Sequence, residues 1–366
     1  MTQDDGAGRQ GGRPFLNWKG VLGVLISVAM LYYAFRGVDF REVLGHWREA
    51  DPWLLLLASF LTTAVFPLRA LRWRPLLRPV HPGSRFHPRF AATSIGFMAN
   101  NLLPARVGEF ARAYALSRLE PVRVSASFGS LVVERMFDGI TVVGFLILAL
   151  AWPTFPDVSG RDFSGAATGL GLLFAVLFGL LFLMVHSPRR SVLWLERIAV
   201  RILPRSLRRS VVDTLEAFLE GVAAIRDWRL VLSALAWSVA VWGTGAVGFW
   251  VGFRAFELDV PFVGAVFLQS VIALAVALPS APGFFGLFEA GARIGLVEVW
   301  GLATSPAMAF ALGFHLAGFI PVTLIGLGYV WWLGLSWHEV EASEEVVDAA
   351  IEEHPPSAAM SDPSVR

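Results

Sequence analysis

Ten side chains that can carry charge or donate hydrogen bonds fall into three short stretches of an otherwise apolar sequence. The first stretch, "NNLLPARVGEFARAYAL" (100–116), holds Asn100, Asn101, Arg106, Glu109 and Arg112 around Pro104 and Gly108. The second, "VVERMFDGI", holds Glu134, Arg135 and Asp138. The third, "LPSAPGFFGLFEAGARIG" (278–295), places Glu289 and Arg293 after Pro279, Pro282, Gly283 and Gly286. A half-helix that restarts after Pro104 has free backbone N–H groups and a positive dipole end, and both favour an anion. Arg106 and Arg112 would add forked donors that match a phosphate. Glu109, Glu134, Asp138 and Glu289 would hold those arginines in place or exchange a proton.

Helical spacing proposes the pairings. Glu109 and Arg112 share a face, as do Arg135 and Asp138, and Glu289 and Arg293 lie one turn apart. For Arg135–Asp138 and Glu289–Arg293, a helix-pinning ion pair is as good a reading as a site. Asn100 and Asn101 either bind a head group or satisfy the free backbone of the break. The prolines and glycines make the breaks and bind nothing directly. There is no cysteine, no His-rich metal pattern, no phosphate loop and no dinucleotide fingerprint, so the sequence calls for no metal and no cofactor. Lone His315 reads as a hydrogen-bonded packing residue.

The elements that must position these groups are membrane helices. Of the 366 residues, 55% are hydrophobic and only 16% charged, against about 25% charged in a soluble domain. The mean hydropathy is +0.61. Crossing the bilayer takes about 20 apolar residues, and six stretches qualify: 17–35, 53–72, 124–152, 164–186, 229–253 and 306–335. Two apolar regions, from Phe90 to Leu116 and from Phe262 to about Val297, are interrupted and read as re-entrant helical hairpins, because broken backbone survives in a bilayer only when protein or water surrounds it. The fold class is therefore all-α and polytopic, with about six full spans and two hairpins. Residues 1–16 form a polar tail, 17–336 the membrane domain, 187–228 a cytoplasmic amphipathic segment and 337–366 an acidic, disordered tail.

"LPARVGEF" (103–110) and "LPSAPGFF" (278–285) share Leu-Pro-x-x-x-Gly-x-Phe. The spans around them correspond too, giving repeats over 17–152 and 164–335. Three crossings per half force the second half upside down, and paired broken helices in inverted halves mark the central site of a transporter. Arginine placement orients the chain, since cytoplasmic loops collect basic residues. Arg69, Arg72, Arg74, Arg78, Arg85 and Arg89 read as one cytoplasmic loop, 36–52 as an outer loop, and the nine arginines of 187–229 as cytoplasmic. Both termini are then cytoplasmic, in the plasma membrane.

With these motifs in order, the sequence resembles the lysylphosphatidylglycerol synthase transmembrane (flippase-like) family over about residues 15–336. Its pattern looks like an Asn-rich stretch with Pro and Gly-Glu before Arg, matched by Asn100, Pro104, Gly108, Glu109 and Arg112. Glu-Arg-x-x-Asp follows, at Glu134, Arg135 and Asp138, and then a Pro-Gly-Gly-x-Gly-x-x-Glu box at Pro282, Gly283, Gly286 and Glu289. Phe284 stands where a second glycine is usual. The resemblance implies lipid translocation and membrane lipids as partners, anionic or polyprenyl-linked, with a lipid-modifying transferase as a possible associate. It argues against aminoacyl transfer, because the soluble domain that does this in two-part members has no counterpart here; nucleic acid is not implicated. The residues themselves leave two further readings open: an enzyme acting on a lipid phosphate with Glu109, Glu134 or Asp138 as acid/base groups, and a non-catalytic partner of a transferase.

Overall fold

The computed structural model describes residues 18–103, 106–156 and 220–335, with isolated helical positions between 165 and 179. Pro104, Ala105, both tails, most of the predicted span 164–186 and residues 187–219 of segment 187–228 lie outside the described residues. Within them the chain is all-helical, with no strand.

The first half contains α1 (Trp18–Phe35), α2 (Phe40–Glu49), α3 (Pro52–Leu77), α4 (Phe86–Leu102), α5 (Gly108–Leu119) and α6 (Val124–Leu150). The second contains α7 (Trp228–Ala255), α8 (Phe262–Ala275), a 3-10 turn at Pro282–Phe284, α9 (Leu287–Ala292), a π-helix at Arg293–Val299 and α10 (Thr304–Trp332). By length and composition α3, α7 and α10 can each cross a membrane, and α1 with α2 makes a fourth candidate bent by 78°. Helix α6 is 27 residues long but carries Glu134, Arg135 and Asp138. The sequence reading of 36–52 as a loop is corrected, because most of it is α2. Asp39 starts that helix by accepting from the Arg41 N–H at 2.8 Å. Exposed Phe40, Leu44 and Trp47 line one side of it, as in a helix lying along a bilayer surface.

Caps and proline set the long helices. Asp51 accepts from the N–H groups of Trp53 and Leu54 at 2.8 and 3.1 Å, and Pro52 occupies the first turn, where no N–H is needed. Asp227 caps α7 through Arg229 N–H at 2.8 Å. Both predicted interruptions are present, the first between α4 and α5 and the second between α8 and α9. At the first, α4 and α5 approach so closely that a Cβ on Gly108 would lie 2.1 Å from the Gly96 carbonyl oxygen. At the second, Gly286 has φ +92°, and a side chain there would strike the Ser27 carbonyl of α1. Helix α3 packs along α7, and α4 packs against α5 and α10, so each break is held between long helices of both halves.

The Gly96–Gly108 contact leaves no room for a methyl group. Gly108→Ala is expected to force α4 and α5 apart and to lower stability by about 1–3 kcal/mol, read as a fall in the thermal midpoint of the detergent-solubilised protein.

Candidate functional site

Arg72 and Glu134 sit at the centre of an ion cluster, each with no exposed side-chain surface, while Arg135 at its edge is 40% exposed. Glu134, on α6, accepts both forks of Arg112 from α5, at 2.6 and 3.0 Å. It also faces Arg72 at 3.0 Å and Arg135 at 2.8 Å. Asp138, one turn along α6, accepts from Arg72 at 2.5 Å and Arg69 at 3.2 Å. It accepts further from the Trp242 indole at 2.8 Å and faces Arg135 at 3.2 Å. Arg112 lies over the Trp73 ring at 4.0 Å, and Arg72 also reaches Ser238 at 3.0 Å. Four guanidinium cations thus face two carboxylates. Removing a charge from water costs several kcal/mol, and each carboxylate compensates by spreading its lone pairs over several donors.

This arrangement corrects the charge reading of the first cytoplasmic loop. Arg69 and Arg72 are not loop residues; they lie on α3, buried, as principal partners of Asp138 and Glu134. Arg89 is likewise buried on α4, donating to the Arg85 carbonyl at 3.2 Å. A signal was present, since Arg69 and Arg72 are three apart on a helix whose apolar run continues to Leu77, opposite two acids one turn apart.

The first break is held by Asn100, whose side-chain oxygen accepts from the Gly108 N–H at 2.8 Å and whose amide reaches Glu109 at 3.4 Å. Asn101 instead joins α10, donating to the Thr323 hydroxyl at 2.8 Å. Arg106 has φ +59° and lies 5.3 Å from the Phe284 ring at the second break. Its Nε has no hydrogen-bond partner among the described residues. The two breaks therefore touch, Arg106 on Phe284.

The second break departs from the sequence reading. Glu289 and Arg293 do not pair. Glu289 is fully buried and contacts His315 Nδ1 at 2.7 Å, while its other oxygen accepts from the Gly286 N–H at 2.7 Å. Arg293 turns to α1, donating to the carbonyls of Ala34 and Arg36 at 2.8 Å and lying over Tyr33 at 5.4 Å. Spacing misleads here because both side chains have other partners. Arg293 keeps the α-helical register, its N–H bonded to the Glu289 carbonyl, but Glu289 is taken by His315 and Gly286 while Arg293 reaches the carbonyls that end α1. Pro279 and Pro282 flank the break, and Gly283 and Gly286 take φ +71° and +92°.

Beside the second break, among α3, α4, α7, α8 and α10, lies a cavity of about 270 Å³. It is walled mainly by aromatic and aliphatic side chains, among them Phe97, Phe284 and Phe319. Its polar positions are Thr62, Arg69, Asn101, Gln269 and His315, with Trp242. The expected polar chamber is thus mostly apolar, with the ion cluster beside it and Arg69 facing both. Of the ten predicted site residues, Asn101 alone is among its lining residues. Among the described residues no group of three or more His, Asp or Glu is placed to hold a metal.

Residues 20–326 match the family described as the lysylphosphatidylglycerol synthase TM region. A protein named glycosyltransferase AglD, from Haloferax volcanii, is 27% identical across 91% of this chain and 57% of its own length. A UPF0104 membrane protein from Methanothermobacter thermautotrophicus is 26% identical across 84% of this chain and 91% of its own length. Another from Pyrococcus horikoshii is 24% identical, covering 84% and 93%. The chain therefore spans little more than half of the glycosyltransferase but nearly all of the two UPF0104 proteins. No solved structure matches the chain significantly.

The geometry separates structural from available arginines. Arg112→Ala would leave Glu134 short of its bidentate partner and is expected to cost about 3–5 kcal/mol. Arg106→Ala removes a ring contact and no ion pair, so its cost is expected to stay within about 1 kcal/mol. Denaturation of both variants in detergent micelles checks the contrast.

Proposed function

The chain belongs to the lysylphosphatidylglycerol synthase transmembrane family, and from that membership we propose that it moves an anionic or glycosylated lipid between the leaflets of the plasma membrane. The head group enters at the two breaks while the acyl or prenyl tails stay in the bilayer. The observation that carries this reading is the surplus of buried guanidinium over carboxylate beside a cavity that opens next to the second break. A cation at bilayer depth costs at least about 2.5–3.5 kcal/mol on insertion scales, and an anionic head group offsets that cost for the arginines with spare donors. Arg69 on the cavity wall, half-exposed Arg135 and Arg106 at the break are those arginines.

The aromatic walls suit the apolar part of such a lipid. In this reading the two breaks are re-entrant, the halves 17–152 and 164–335 are inverted repeats, and both termini are cytoplasmic. The two helix–break–helix units that meet at Arg106 and Phe284 support it. The glycosylated alternative draws on the relative named as a glycosyltransferase.

That relative also favours a second reading. Its length beyond the matched part points to a transferase working beside a membrane domain of this kind, so the chain would serve as the membrane partner of a lipid-modifying transferase. A phosphate-acting enzyme is less well supported, because Glu134 and Asp138 have their oxygens committed to arginines and leave Glu109 as the carboxylate with spare acceptors.

Vesicles of phosphatidylcholine with phosphatidylglycerol and a trace of tail-labelled fluorescent phosphatidylglycerol test the proposal. Reconstituted protein is expected to make the inner-leaflet label accessible to an external quencher faster than empty vesicles do. Arg106→Ala and Arg69→Gln are expected to slow this while the protein remains folded. Equal rates with and without protein, for phosphatidylglycerol and for a polyprenyl-phosphate sugar alike, would refute it.

A further inference from the structure

His315 and Glu289 form a buried contact that binding an anion does not call for. His315 lies on α10, on the wall of the cavity, with 8% of its surface exposed. Its Nε2 is 2.9 Å from the Gly283 carbonyl oxygen, which can only accept, so Nε2 carries a hydrogen. Its Nδ1 is 2.7 Å from Glu289 Oε1, and Glu289 Oε2 is already taken by the Gly286 N–H. A contact of 2.7 Å needs one proton between the two atoms. Imidazolium with carboxylate and neutral imidazole with carboxylic acid hold that same proton, and in both the pair is neutral overall. Without it, two lone pairs face each other in a buried site bearing a net negative charge. The rings of Phe285 and Phe288, at 4.7 and 4.2 Å, cover the imidazole and offer it no alternative hydrogen bond.

The other charged groups on the neighbouring elements point elsewhere, with one exception. On the π-helix, Arg293 and Glu298 turn toward α1, the latter meeting Tyr33. Arg72 of α3 is committed to Asp138 and Glu134. On α4, Arg89 donates to the Arg85 carbonyl and His87 lies against Tyr329. Arg254 of α7 covers Trp250. The charged residues of α2 are exposed except half-buried His46. The exception is Arg69, which faces the same cavity from α3.

We infer that His315 and Glu289 form a proton-binding site that couples lipid movement to a transmembrane proton gradient. One proton enters the Nδ1···Oε1 contact from one aqueous phase and leaves to the other, and no covalent bond is made or broken. The geometry supplies the coupling. Glu289 caps Gly286, His315 holds Gly283, and Phe284 between them carries Arg106 of the first break. Losing the proton turns the Nδ1···Oε1 contact repulsive, frees both glycine anchors, and releases Phe284 from Arg106. The inference rests on the lipid-moving reading, but the proton site can be tested apart from it.

Full-length protein carrying 15N-labelled histidine, in nanodiscs of phosphatidylcholine and phosphatidylglycerol, gives the direct test. The His315 resonances, assigned by their loss in His315→Gln, are expected to report a proton shared with a carboxylate and to move when Glu289→Gln removes the acid. Resonances of an ordinary neutral imidazole, unchanged by Glu289→Gln over roughly pH 5 to 8, where imidazole normally titrates, overturn the inference. In the fluorescent-lipid vesicles, an imposed pH gradient is expected to bias movement in wild type, with the bias lost in both variants. Lipid movement indifferent to the gradient in wild type overturns the coupling. If wild-type vesicles move no lipid while His315 still shares its proton, the lipid-moving reading falls and the proton site stands.

Discussion

Burying three arginines with two carboxylates, a fourth arginine at the edge, is the constraint around which the rest of the molecule is arranged. Glu134 and Asp138 sit one turn apart on α6, Arg69 and Arg72 three apart on α3, and Arg112 on α5, so the cluster ties three helices across one plane. Once a guanidinium is desolvated, each partner lost is costly, and the helices that carry the partners cannot drift independently. That accounts for the tight seam between α4 and α5. The glycine contact there sets the position of α5, and α5 delivers Arg112 to Glu134 at 2.6 Å.

An excess of cations is poorly suited to a purely structural role. An equal number of acids would neutralise the cluster, yet Arg69 and half-exposed Arg135 share oxygens already occupied by others. The cavity they border is lined mainly with rings and aliphatic groups. A cationic edge on an apolar hollow matches an amphiphile, whose charged end and hydrocarbon end need different surroundings. Neither feature alone would distinguish a lipid from a soluble anion or from a packing defect.

Much of this was legible in the sequence, and the misses have physical causes. The predicted spans at 53–72, 229–253 and 306–335 correspond to α3 (Pro52–Leu77), α7 (Trp228–Ala255) and α10 (Thr304–Trp332). Hydropathy finds apolar cores well and helix ends poorly, because caps such as Asp51 and Asp227 lie outside the apolar run. The breaks were readable from Pro and Gly. Arg69 and Arg72 were not, because a loop count treats every arginine near a span end as solvated. Arg293 was misplaced because helical spacing cannot see the carbonyls of Ala34 and Arg36, which arrive from a helix more than 250 positions away. His315 gave only the weak signal of a lone ionisable residue in a span, since its partner lies 26 positions away, beyond the π-helix and the turn that precedes α10.

The meeting of Arg106 and Phe284 brings together two residues with left-handed backbone, at φ +59° and +61°. Each conformation costs a non-glycine residue on the order of 1–3 kcal/mol. The point where the two breaks meet is therefore also where the backbone is held least comfortably. A glycine at position 284 would take the same turn without that cost but would remove the ring beneath Arg106, so ease of backbone and grip between the breaks pull in opposite directions at this one residue.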